Sequence, residues 1–142
     1  MTLEEKVAQM CQYVGLQYGR KGKPIAFEST DPDILIPQLL EHNAIARNIS
    51  LGRVGACLHV YSVEEANILQ MIAQKSRLKI PLLIAIDAVH GNCMHRGCTV
   101  YPTSIGMASS FNPVLLKEIG RQTAVEMRSS GCLLYTSPSP RD

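Results

Sequence analysis

Asp87 is the residue whose position most invites chemistry. It directly follows the run Pro81-Leu82-Leu83-Ile84-Ala85-Ile86. An unbroken apolar run reads as a strand buried on both faces, the mark of a parallel strand inside an α/β protein. In such folds the ligand crevice lies outside the carboxyl ends of the strands. A carboxylate there is placed to accept hydrogen bonds from a ligand; the plainer reading is an Asp that caps a turn or pairs with an Arg. The stretch from Ala88 to Phe111 then joins this strand to a helix. Such connections usually take about 2–6 residues, so this one either lines a site or forms an ordered surface loop. It opens with His90-Gly91-Asn92.

The same stretch carries His90, Cys93, His95 and Cys98 in the spacing H-x2-C-x-H-x2-C. Thiolates and imidazoles around a tetrahedral ion are zinc chemistry. The spacing is tighter than that of finger or ribbon sites, so separate loop residues are the favoured reading and no metal or cofactor is assigned. A Cys93–Cys98 disulfide is open to the chain only in an oxidising compartment. The five cysteines, at 11, 57, 93, 98 and 132, are too scattered for a disulfide scaffold.

Elements must position these residues. The chain has 142 residues, enough for one domain with a core. It is 46% hydrophobic and 18% charged, a globular balance. A net charge of +2 argues against a nucleic-acid binder, and aromatics at 5% with no Trp argue against a base-stacking platform. No apolar run approaches the ~20 residues of a membrane span. The segment Met1 to Lys6 lacks the apolar core of a secretory leader.

Thr2 and Glu5 form a capping box, and Leu3, Val7, Met10, Cys11 and Val14 continue at helical spacing. Gly15 to Asp33 reads as a polar loop with a basic cluster at 20–23. One helix is expected from about Pro37 to Ile49, with Gly52 just past its end. Val54 to Val60 reads as a strand, and Ser62 with Glu65 as a second capping box. Asn112-Pro113 starts the last helix, in which Gly120 is expected to permit close packing on a neighbour. Strand, helix, strand is a βαβ unit; two strands alone read as the opening of a larger barrel or open sheet. From Cys132 onward the composition turns to Ser, Thr and Pro, and no regular element is expected.

Several of these segments carry a resemblance. Residues 1–10 resemble the opening of the catalytic barrel in glycoside hydrolase family 3, and Gly52-Arg53-Val54-Gly55-Ala56 looks like its first strand. The segment 76–91 is the most specific: Ser76-Arg77-Leu78-Lys79-Ile80-Pro81 leads into Asp87-Ala88-Val89-His90-Gly91, as in the family's β-glucosidase and exo-glucanase branch. Tyr101-Pro102 and Ala108-Ser109-Ser110-Phe111-Asn112 fit the stretch that follows. The resemblance covers about residues 1–131, with 132–142 a tail outside it. It implies an α/β fold, part of a (β/α)8 TIM-type barrel holding only the first βαβα units. It also implies retaining, exo-acting hydrolysis of a β-linked glucosyl oligosaccharide or glucoside, without nucleic acid or membrane as partner. Asp87 then binds hydroxyls of the terminal glucose, and His90 shapes or orients the loop.

The family's nucleophile Asp and acid/base Glu do not carry over. Glycosidases need two carboxyl groups flanking the scissile bond, and Asp87 is the only acidic residue between Ile68 and Leu116. The expectation is therefore an N-terminal fragment, inactive by itself. The rival from another class is a stand-alone sugar-binding or interaction module.

Overall fold

The structure, a computed structural model, describes residues 1–16 and 31–136. The basic cluster at 20–23 lies outside them.

Helix α1 (Leu3–Ala8) is fixed by the expected capping box. The Thr2 hydroxyl accepts from Glu5 N at 3.2 Å, and the Glu5 carboxylate accepts from Thr2 N at 2.7 Å. The helix does not continue to Val14. Gln12–Val14 is instead a strand, β1. The cause is tertiary: Cys11 O accepts from Gly55 N at 3.0 Å and Ala56 N at 3.2 Å, and Gly15 N donates to Leu58 O at 2.7 Å. Neighbouring backbone recruits Tyr13 and Val14, whose side chains suit a strand, against the helical spacing.

The expected single helix over 37–49 is two, α2 (Pro32–His42) and α3 (Ala44–Ser50). Asn43 separates them. Its backbone is extended, and its Oδ1 accepts from Ile45 N at 2.9 Å and Ala46 N at 3.1 Å. One Asn thus ends one helix and caps the next. Gly52, at φ +70°, follows α3 as expected.

Strand β2 (Ala56–Leu58) leads into α4 (Val63–Ala73). The capping box at Ser62 is only half made. Ser62 Oγ accepts from Glu65 N at 3.1 Å, but the Glu65 carboxylate takes Tyr61 N, one residue before the cap, at 3.1 Å. Gln70 on α4 then holds both backbone groups of Leu82, at 2.8 and 3.0 Å, and so sets the entry of β3 (Leu83–Asp87). The long connection contains a short helix, α5 (Ser104–Ala108), before α6 (Pro113–Ser129). Asn112 Oδ1 caps α6 through Leu115 N at 3.0 Å.

The chain after Gly131 departs from expectation. Leu134–Thr136 forms β4, paired to β3. Leu133 N donates to Ile84 O at 2.9 Å, and Cys132 is buried. The composition change is genuine, but the apolar Leu133-Leu134-Tyr135 precedes most of it. The open edge of β3 offers this short piece a ready template.

The four strands among the described residues are all parallel, in the order β1-β2-β3-β4. Each strand lies beside its predecessor, with helices in the connections from β1 onward. No strand order reverses, which is barrel winding rather than the reversed order of an open doubly wound sheet. The core lies between the sheet and α2–α4, with Leu35, Ile49, Leu69, Ile72, Ile84 and Ile86 at its centre. Met127 brings the C-terminal half of α6 into it. The N-terminal half stands away: Val114 is 77% exposed, and Phe111, just before the helix, 91%. Gly120 has open space where a Cβ would lie, so it serves no close contact among the described residues. Among those residues, no helix is long and apolar enough to cross a membrane.

Candidate functional site at the mouth of β2 and β3

Asp87 is the last residue of β3, and its side chain is 34% exposed. His59 is the first residue after β2. The register pairs Leu58 with Ala85, so the two side chains come from neighbouring strand ends. His59 Nε2 lies 3.6 Å from Asp87 Oδ2. That is longer than a direct hydrogen bond.

His59 is also an outlier in backbone conformation, at φ +57°. An L-residue there costs roughly 1–2 kcal/mol, so its surroundings must impose it. Its ring stacks on Tyr61, with centroids 6.1 Å apart and planes 6° from parallel. Val60, between them, is buried, and its carbonyl accepts from His95 Nε2 at 2.8 Å. The Nε2 of His95 therefore carries a proton. Tyr61 N is held by the fully buried Glu65. Gly15 closes the other side: a Cβ there would lie 2.6 Å from Glu65 Oε1 and 2.7 Å from His59 O.

His90 faces a different task. Its Nδ1 is 2.9 Å from Tyr101 O, so that nitrogen carries a proton, and Tyr101 N donates to His90 O at 2.9 Å. His90 thus fastens the two ends of a loop. Between them Gly91, at φ +102°, packs so closely that a Cβ would collide with Thr99 O. His90, Gly91 and Val89 also line a cleft of about 310 Å3 between this loop, α5 and α6, together with Met107, Leu116 and Ile119. Asp87 is not part of its wall. The cleft is largely apolar, and it begins at Ala88, next to Asp87, without His59 in its wall.

The zinc-like spacing does not gather into one site. His90 and His95 turn to the carbonyls of Tyr101 and Val60, and Cys93 is exposed. Among the described residues no three His, Cys, Asp or Glu side chains could hold a metal ion together. Cys98 meets Asn92 Nδ2 at 3.5 Å, and the same nitrogen donates to Ser130 Oγ at 3.1 Å. Thr99 donates its backbone N and its hydroxyl to Glu126, at 3.0 and 2.7 Å. The loop is therefore tied to α6 along its middle. Burial, and secondarily the charge of Glu65, pushes the Cys57 thiol up to about 12, leaving it protonated and inert.

The sequence of the glycosyl hydrolase family 3 N-terminal domain matches residues 2–139. The chain belongs to this family. The match takes in all four strands, β4 included. The fold is accordingly part of a TIM-type barrel, as the family resemblance implied. The periplasmic beta-glucosidase of Salmonella typhimurium (strain LT2) is 38% identical over 96 residues. That alignment covers 67% of this chain and 12% of the relative, so the chain spans a small part of the relative's length.

His59 escaped the sequence reading. The usable signal was the rule applied to Asp87, a polar side chain directly after an apolar strand. The apolar pattern runs on through Val60, which hides His59 inside the expected strand.

Proposed function

We propose that this chain forms the opening segment of the barrel of a retaining, exo-acting β-glucosidase or β-glucanase, with Asp87 as its sugar-gripping carboxylate. The carrying observation is the position of Asp87 at the carboxyl end of an inner parallel strand, partly open to solvent. A carboxylate accepts two hydroxyl hydrogen bonds, and charge-assisted bonds distinguish a correctly placed hydroxyl well. The relative's beta-glucosidase activity and the family membership support a β-linked glucosyl substrate. Asp87 binds and orients; it is neither nucleophile nor acid. His90 acts by keeping the Asp-x-x-His-Gly loop closed on Tyr101 rather than by touching the sugar.

The purified chain is expected not to hydrolyse p-nitrophenyl β-glucoside, because a single carboxylate cannot supply both nucleophile and acid. Turnover that disappears in Asp87→Ala overturns the inactive-segment reading. Glucose, titrated into isotope-labelled chain, is expected to move the amide signals of Asp87 and its neighbours. Signals at the mouth of β3 that ignore glucose overturn the sugar-binding role.

A further inference from the structure

We propose that the cleft between the 88–111 loop, α5 and α6 is a binding site for a flat bicyclic aromatic molecule that carries one hydroxyl. It is built from a different set of side chains than Asp87 and does not rest on the sugar reading. Three observations carry it. The first is an uncovered face of α6. Leu116, Ile119, Gly120 and Thr123 recur at helical spacing and all line the cleft, whereas Met127, one turn further on, is buried in the core. The stripe that the core covers at one end is open to the cleft at the other. The second is Gly120 itself. A glycine inside a helix destabilises it relative to alanine, and a Cβ here would meet no described atom within 4 Å. Nothing among the described residues uses the space that the missing side chain leaves in the cleft floor. The third is His90. Its Nδ1 is fastened to Tyr101 O at 2.9 Å, and Tyr101 is not in the cleft wall. The ring therefore meets the cleft with its other edge, where Nε2 of the neutral imidazole is an acceptor.

These features select the ligand. An apolar cavity of about 150 Å3 holds benzene, and this cleft of about 310 Å3 has room for a second ring. Met107, Leu116 and Ile119 supply apolar contact, and a thioether is a favourable neighbour for an aromatic ring. Gly120 lets one face of the ring lie close on helix backbone. Among the described residues no side chain donates to His90 Nε2, and the Thr123 hydroxyl gives its proton to Ile119 O at 2.9 Å. A single hydroxyl on the ring supplies the missing donor. A sugar, polar around its whole rim, does not suit so apolar a wall.

The test titrates 2-naphthol into the 142-residue chain and follows its emission, which no Trp of the chain obscures. Saturable binding is expected, with shifts of the Ile119, Gly120 and Thr123 amide signals in labelled chain. The methyl ether of 2-naphthol, which keeps the rings and lacks the donor, is expected to bind about tenfold more weakly, the worth of one hydrogen bond. Gly120→Leu, which fills the floor, is expected to fold and to lose the binding. Gly120→Ala is expected to raise the urea midpoint and still weaken 2-naphthol, so that stability and binding move in opposite directions in one variant. Failure to saturate, or equal affinity in a folded Gly120→Leu, overturns the site. A lowered urea midpoint in Gly120→Ala also overturns it, because the folded chain would then already fill the space. Equal binding of 2-naphthol and its ether overturns the role of His90. Should Gly120→Leu fail to fold, Gly120→Ala and the amide shifts decide. Excess glucose is expected not to displace 2-naphthol; displacement would merge the cleft with the sugar site at Asp87 and overturn the inference.

Discussion

The guanidinium of Arg77 grips the carboxylate of Glu5, a residue 72 positions earlier, through three contacts of 2.7 to 2.9 Å. The same carboxylate closes the cap of α1 on Thr2 N. Two segments that the sequence singles out separately, the opening helix and the approach to β3, are therefore one physical unit. Glu5 does double service at a helix N-terminus, where negative charge is also favoured by the helix dipole.

This pair makes stability depend on acid. The Arg77 side chain, and then the Thr2 backbone, hold the Glu5 carboxyl below its usual 4.5. A carboxyl lowered in the folded state stabilises the fold above its unfolded pKa, and that contribution is lost as pH falls through the folded value. The urea midpoint of the wild-type chain is thus expected to decline below about pH 5. Arg77→Met is expected to lower the midpoint at pH 7 and to flatten the decline. Identical acid limbs for both proteins would show that the pair is not responsible.

Glu65 anchors the turn that carries His59. Removing its carboxylate leaves the Tyr61 amide without this acceptor in a buried setting, a cost of about 1–3 kcal/mol. Glu65→Leu is expected to lose that much in equilibrium unfolding. Glu65→Gln, which keeps an acceptor oxygen, is expected to lose less. Gly15→Ala pushes a methyl against the same carboxylate and against His59 O, and about 1–3 kcal/mol of overpacking is expected. A neutral Gly15→Ala would show that this corner has slack.

The five cysteines should separate by reactivity. Cys93 is exposed, whereas Cys57 and Cys132 are buried. Burial raises the thiols of both buried residues, Cys57 to about 12, so neither supplies thiolate at pH 8. A chromogenic disulfide reagent at pH 8 is expected to label Cys93 at once, and Cys57 and Cys132 only on adding denaturant. Peptide mapping after a short exposure checks the order. Early labelling of Cys57 would mean that the core around β2 opens readily.

Asn92 offers a contrast between two nearly equal shapes. It is fully buried and donates to Ser130, while its Oδ1 meets no partner among the described residues. Asn92→Asp replaces the donor with a second acceptor and adds a buried charge. It is expected to destabilise by about 3 kcal/mol or more at pH 8, and by less at pH 4, where the carboxyl can protonate. Equal midpoints for the two proteins at pH 8 would place Asn92 in contact with water.

What the sequence could show, and what it could not, divides along a physical line. Thr2, Ser62 and Asn112 announced helix starts because a cap is a local bond between residues two or three apart. The apolar run before Asp87 announced a buried strand because burial on both faces leaves a compositional trace. Strands β1 and β4 left no such trace. Each is three residues long, and each exists because a neighbour's backbone lies alongside. The same holds for the site. Asp87 was legible as a charge after a strand, and His90 as a loop residue, although its bond to Tyr101 was not. His59 becomes meaningful only when β2 and β3 are placed side by side, since nothing in its local sequence mentions Asp87.

The unreversed strand order has a bearing on biosynthesis. Each new βα unit needs only the unit already made before it, and no later strand has to be threaded between earlier ones. A chain leaving the ribosome N-terminus first can lay down this sheet strand by strand, every addition burying its inner face on a surface that is waiting for it.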